Sequence, residues 1–116
     1  MEVTVREQDG VQIISMKGRL DATTAPPVQA RFEEVVSSQQ RFFILDLKGV
    51  DYVSSGGLRV FLAMAKQLNA MGGGIVLVDL HPFVEDLLTM TGFDTLFPIA
   101  HTCEDALRML TEGDTQ

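Results

Sequence analysis

Apolar and polar residues alternate at Val3-Thr4-Val5 and again from Val11 to Lys17, with Asp9-Gly10 between the two stretches. A period of two puts alternate side chains on opposite faces of a strand, and Asp-Gly tolerates the positive φ angles of a tight turn, so a β-hairpin at a sheet edge is predicted. Val11, Ile13 and Met16 are its inward positions, and Gly18-Arg19-Leu20-Asp21 leaves the second strand. Thr24 is a good N-cap, and Pro26 and Pro27 fall in the first turn, where a missing N–H does little harm. The helix predicted there runs to about Ser38 and buries Val28, Phe32, Val35 and Val36.

The next stretch, Phe42 to Leu47, is nearly all apolar, as expected of a strand buried on both faces in a parallel region. A polar bend follows, then a helical pattern from about Gly56 to Met71. Leu58, Phe61, Leu62, Ala65 and Leu68 recur at three- and four-residue spacing and form its core stripe, with Val60, Met64 and Met71 outside it. Gly72-Gly73-Gly74 ends that helix, and Ile75-Val76-Leu77-Val78 is another two-sided strand. His81-Pro82 opens a helix that stops at Gly92. Leu96-Phe97-Pro98-Ile99 is a short edge strand, and Thr102 with Asp105 resembles the start of a last helix holding Ala106, Leu107 and Leu110. Strands alternating with helices after a hairpin imply a single α/β domain over residues 1–116, ordered over about 2–111, with a frayed tail. Its mixed sheet is small, with roughly four or five strands.

Composition narrows the class of partner. The chain has 116 residues, 46% of them hydrophobic, and a formal net charge of −7. A core is therefore expected, whereas a nucleic-acid backbone or an anionic membrane would be repelled. The single cysteine, Cys103, excludes an internal disulfide. His81 and His101 have no companion at ligand spacing, so no metal and no cofactor are expected. Without an apolar stretch of spanning length or a signal-peptide core at the N-terminus, a soluble cytoplasmic protein is expected.

Candidate chemistry concentrates at the bend. Ser54-Ser55-Gly56-Gly57 joins the central strand to a helix. A serine there caps the unpaired amides of the first turn, and the same amides with the helix dipole favour an anion such as phosphate. The glycines permit a tight bend or let a partner approach the backbone. Asp21 and Asp46 can each bind nearby loop amides or face a partner. Arg59 is a solvated first-turn residue or a pair for a partner's acid. Val60 and Met64 are either buried under another helix or, if exposed, an adaptable apolar patch. The Gly-x-Ser-x-Gly motif of a nucleophile elbow is absent and no base is tied to Ser55, so no enzymatic activity is expected. The three glycines at 72–74 lack the Lys-Ser/Thr of a phosphate loop.

Taken in order, Gly18-Arg19-Leu20-Asp21, Leu45-Asp46-Leu47 through Val53, Ser54-Ser55-Gly56-Gly57-Leu58, and Thr91-Gly92-Phe93-Asp94 to Phe97 resemble a STAS domain, specifically a stand-alone anti-sigma factor antagonist. The resemblance implies successive βα turns and a partner switch. In that switch an anti-sigma factor of the GHKL kinase type binds the unphosphorylated antagonist and phosphorylates it, and a PP2C-type phosphatase restores binding. The family pattern, Asp-Ser-Ser/Thr-Gly-Leu, aligned on Gly57-Leu58, assigns the phosphoacceptor to Ser55, with Ser54 in place of the usual Asp and as the second candidate. Asp21, Asp46, Ser54, Gly56, Gly57, Arg59, Val60 and Met64 are then the expected partner-binding positions. Two other roles stay open: a STAS subunit of another signalling or transport assembly, and a small-ligand or nucleotide sensor.

Overall fold

A computed structural model describes residues 1–36 and 40–111. The expected end of the first helix near residue 38 and the expected frayed tail beyond Thr111 lie outside the described residues. Strands β1 (Glu2–Gln8) and β2 (Val11–Leu20) form the hairpin, running from Glu2 opposite Lys17 to Gln8 opposite Val11. Asp9 and Gly10 have φ of 54° and 80°, both positive as the twist of a two-residue hairpin turn demands. Strands β3 (Phe42–Val53), β4 (Gly74–Val78) and β5 (Ile99–Ala100) add in parallel, so the sheet order is β1-β2-β3-β4-β5.

Helix α1 (Ala25–Val36) links β2 to β3, and α2 (Ser55–Ala70) links β3 to β4. Helix α3 (Pro82–Thr91) and a 3-10 turn at Phe93–Thr95 link β4 to β5, and α4 (Cys103–Thr111) follows. One face of the sheet, with Ile14, Met16, Leu20, Leu45 and Leu47, packs under α1, α2 and α3. The other face, with Val11, Ile13, Ile44, Val76 and Val78, packs under α4. The mixed α/β architecture is the one the strand and helix patterns predict.

Three local expectations give way. First, Gly18-Arg19-Leu20 does not leave β2 but completes it, and β3 runs through the stretch read as a polar bend. From Ser15 to Leu20 β2 advances five residues, while β3 advances seven, from Asp46 to Val53. The surplus is taken up in bulges, which shift the side-chain alternation. Leu47, Val50 and Val53 consequently all face the helices. Gly49 lies in the bulged stretch because a Cβ there would come within 2.9 Å of the Met16 carbonyl oxygen.

Second, the last strand is Ile99–Ala100, not Leu96 to Ile99. Leu96 N–H donates to the Phe93 carbonyl and the Thr95 hydroxyl to the Gly92 carbonyl, which holds this stretch in a turn. Third, Thr24 does not cap α1 with its side chain. A capping oxygen needs the N–H of the second or third helical residue, and those residues are Pro26 and Pro27, which have none. The Thr24 hydroxyl turns back instead, donating to the Arg19 carbonyl at 2.7 Å and accepting from Asp21 N–H at 2.8 Å.

Candidate functional site

The C-terminal ends of β2 and β3 lie side by side, and the chain leaves each of them into a helix. Ser54 N–H donates to the Leu20 carbonyl at 2.8 Å, joining the two exits. Ser54 is the N-cap of α2, with extended backbone angles of φ −88° and ψ 173°. Its Oγ accepts from Gly57 N–H at 3.2 Å, and its carbonyl accepts from Leu58 N–H at 2.9 Å. Ser55 is therefore the first helical residue, and its side chain is exposed. The amides of Ser55 and Gly56 have no hydrogen-bond partner among the described residues. An anion seated here would meet two free donors and the positive end of a helix of 16 residues.

The two serines separate cleanly in a stability measurement. Ser54→Ala removes the capping acceptor and is expected to cost about 1 kcal/mol, roughly 4 °C in melting temperature. Ser55→Ala alters an exposed position and is expected to stay within about 0.5 kcal/mol of wild type. Equal losses in thermal unfolding would contradict this division of labour.

Asp21 stands beside α2 but is occupied by its own loop. Its Oδ1 accepts from the Thr23 hydroxyl at 2.7 Å and from the amides of Thr23 and Thr24 at 3.0 and 3.1 Å. The Thr23 hydroxyl, followed by those two amides, holds its carboxyl below the usual carboxylate range, because each bond favours the charged form. The loop packs close: a Cβ on Gly56 would lie 3.6 Å from Ser54 Oγ and 3.9 Å from Ala22 Cα. Between this loop, α1 and α2 runs a shallow groove of about 430 Å3 lined by Ala22, Ala25, Pro26, Gly56, Arg59 and Val60. Arg59 is exposed at its edge, one turn on from Ser55.

Four expected partner positions are corrected. Val60 and Met64 are 5% and 1% exposed. They make no exposed patch because α2 is covered by α1 as well as by the sheet, which widens its buried arc beyond the predicted stripe. Leu62, assigned to that stripe, is only half-buried. Gly57 is buried too: a Cβ there would lie 2.8 Å from Leu20 Cγ and 2.9 Å from the Leu20 carbonyl oxygen. Its role is close packing of helix on strand. Asp46 shares the face of Ile44, the α4 side of the sheet, and its Oδ1 accepts from Lys48 N–H at 3.1 Å. Its charge is felt at Cys103, whose thiol is pushed up mainly by burial, with Arg6 opposing and Asp46 and Asp79 adding. Seven residues of strand separate Asp46 from Val53, roughly 20 Å at the usual rise, so it does not share the Ser55 site.

Sequence reasoning missed an aromatic group at the same strand ends. The Arg19 guanidinium lies 4.1 Å from the Tyr52 ring centroid, and the Tyr52 and Phe83 rings stack at 6.3 Å and 25°. The available signal was weak: Phe83 falls one position before Val84, the start of the buried side of α3, and its partners are over 30 residues away. Elsewhere, a groove of about 560 Å3 lies at the far end of α2, lined by Gly74, Ile75, Leu96, Pro98 and Met109, with Asp94 as its carboxylate. Among the described residues no group of His, Cys, Asp and Glu could hold a metal, and no helix is long and apolar enough to cross a membrane.

Comparison with known proteins agrees with this architecture. The STAS domain family model matches residues 2–106. BtrV of Bordetella bronchiseptica, provisionally named an anti-sigma factor antagonist, is 37% identical over 106 residues, 91% of each chain. The anti-sigma F factor antagonist of Paenibacillus polymyxa is 31% identical over 111 residues, 95% of each chain. The crystal structure of an anti-sigma factor antagonist from Mycobacterium paratuberculosis superposes with a TM-score of 0.85 at 29% identity, covering 94% of this chain and 92% of that one. Relatives of this kind are regulatory binding proteins, and the chain belongs to the STAS-domain family of anti-sigma factor antagonists.

Proposed function

We propose that this protein is a partner switch whose covalent control point is Ser55. In the unmodified state the end of the molecule formed by the Asp21 loop, Ser55, Gly56 and Arg59 binds an anti-sigma factor that is itself a GHKL-type serine kinase. The kinase transfers the γ-phosphoryl group of ATP to Ser55 Oγ: the new O–P bond replaces the bond to ADP, and the hydroxyl proton passes to a base of the kinase. A PP2C-type phosphatase then hydrolyses the phosphoserine to serine and inorganic phosphate, and binding returns.

The observation that carries the reading is the difference between two adjacent hydroxyls. Ser54 Oγ is engaged with Gly57 N–H, whereas Ser55 is exposed at the first turn of α2. A kinase needs a hydroxyl it can reach, and the modified group needs surroundings that tolerate a dianion. Ser55 has both, because a helix N-terminus favours negative charge. The names of the relatives support an anti-sigma factor as the partner.

The test is mass spectrometry after incubation with ATP and purified GHKL-type kinases from the source organism. One phosphate is expected on Ser55, retained in Ser54→Ala and lost in Ser55→Ala. Phosphate on Ser54 in the wild type, or modification surviving Ser55→Ala, would overturn the assignment.

A further inference from the structure

Beyond the phosphorylation site, one end of the sheet is left uncovered on its second face. Helix α4 covers that face only at Val11, Ile13, Ile44, Val76, Val78 and Ala100. Further along β2 the same face continues through Ser15, Lys17 and Arg19, by strict alternation from Ile13. Across from Arg19 sits Tyr52, and Phe83 of α3 stacks on Tyr52 from the side.

Three features distinguish this surface from ordinary solvent-exposed residues. Of the seven phenylalanines, Phe83 is the exposed one, at 50%, and the other six are buried or half-buried. It stacks on the chain's one tyrosine. Arg19 is held over that tyrosine ring, yet its guanidinium makes no hydrogen bond or ion pair among the described residues. With exposed Lys17 two residues before it, Arg19 makes this strand end locally cationic in a chain of net charge −7. Tyrosine and arginine anchored against each other are the residue types that dominate binding energy at protein interfaces.

We propose that Arg19, Tyr52 and Phe83 form a second docking point for the same partner that reads Ser55, taking an apolar side chain of that partner with a carboxylate beside it. The proposal rests on the partner-switch reading. Distance ties the two sites together. Tyr52 is three residues from Ser55, so their Cα atoms are at most about 11 Å apart even in a fully extended chain. An interface of ordinary size covers about 800 Å2 on each partner, a disc of roughly 16 Å radius. A partner centred on Ser55 therefore reaches Tyr52. The backbone joins them as well: Ser54 N–H bonds to the Leu20 carbonyl, next to Arg19. The carboxylate is inferred from the free guanidinium, and the apolar group from the half-exposed Phe83 face.

The experiment is calorimetric titration of the full-length protein with the kinase that modifies Ser55. Phe83→Ala and Arg19→Glu are each expected to weaken binding about tenfold or more, and Arg19→Glu is expected to flatten its salt dependence. Met90→Ala, at the other end of α3 and 83% exposed, serves as the control and is expected to bind within about twofold of wild type. Arg19→Glu changes an exposed side chain and decides the matter if Phe83→Ala unfolds. If both variants bind within twofold of wild type while Ser55 phosphorylation still releases the kinase, the second docking point is wrong and the switch stands. If phosphorylated protein binds as tightly as unmodified protein, both are wrong.

Discussion

Phosphorylation of Ser55 is expected to weaken kinase binding more than a hundredfold, a loss of about 3 kcal/mol, and Ser55→Asp at least tenfold. Both are expected to leave the melting temperature within roughly 4 °C of wild type. The asymmetry follows from where the charge sits. Within the free protein, a phosphate adds about −1.5 to −2 charges beside the unpaired amides of Ser55 and Gly56. A helix N-terminus stabilises such an anion by about 0.3–1 kcal/mol. Arg59, one turn along α2, can add an exposed ion pair worth at most about 1 kcal/mol. Neither effect disturbs the fold.

Against a partner the balance reverses. The dianion loses its water, and the nearby Asp21 carboxylate, already held in its charged form by Thr23 and Thr24, repels it. Asp46 plays no part in that repulsion, because it lies roughly 20 Å back along β3 from the Ser55 end. Calorimetry of modified and unmodified protein measures the ratio, and a change smaller than threefold for the phosphorylated form would remove electrostatic blocking as the mechanism.

Regular periodicity made most of the fold legible. The hairpin turn, the two-sided β4, the start of α2 and the glycine stop of α3 all follow from residues that act locally: Asp9-Gly10, Ser54 and Gly92, whose φ of 79° suits glycine. The failures occur where a long-range contact changes a local rule. Leu47, Val50 and Val53 are spaced by three, a pattern foreign to a strand, because bulges against β2 reset the alternation. Val60 and Met64 are buried because α1 lies across α2, the first of the two readings open for them. Their use as an exposed partner patch fails because the sequence of α2 alone does not name the helix that covers them. Thr24 has the right residue type for a cap, but the prolines after it remove the donors. At the site, the bend and its serines were legible. The family pattern had already pointed to Ser55, and the structure adds the Ser54–Gly57 bond that occupies the other serine; the Arg19–Tyr52–Phe83 group needed three elements brought together.

The three consecutive glycines after α2 look equivalent in sequence and are expected to differ sharply when mutated. Gly73→Ala is expected to cost about 3 kcal/mol, the top of the usual range for overpacking, and to lower the melting temperature by roughly 10–15 °C. The chain here forms a Schellman stop: Gly72 N–H bonds to the Asn69 carbonyl and Gly73 N–H to the Leu68 carbonyl. The next amide, Gly74 N–H, donates to the Arg41 carbonyl at 3.0 Å and starts the pairing of β4 with β3. Gly73 must therefore pass directly over Arg41, and a Cβ there would fall 2.0 Å from that carbonyl oxygen and 2.8 Å from its carbon. The obstacle is backbone at the mouth of the central strand, so it cannot rotate aside. Gly72 has φ of +77° with open space around it, so Gly72→Ala is expected to cost only the left-handed penalty of about 1–2 kcal/mol. Gly74 meets only Leu110 Cδ2 at 3.3 Å, a flexible methyl, and Gly74→Ala is expected to cost least. Urea denaturation of the three variants gives the ranking. A Gly73→Ala midpoint at or above that of Gly74→Ala would mean that the turn does not pass over Arg41 in this way. The α2–β4 junction, and with it the seating of α2 that presents Ser55, would then have to be redrawn.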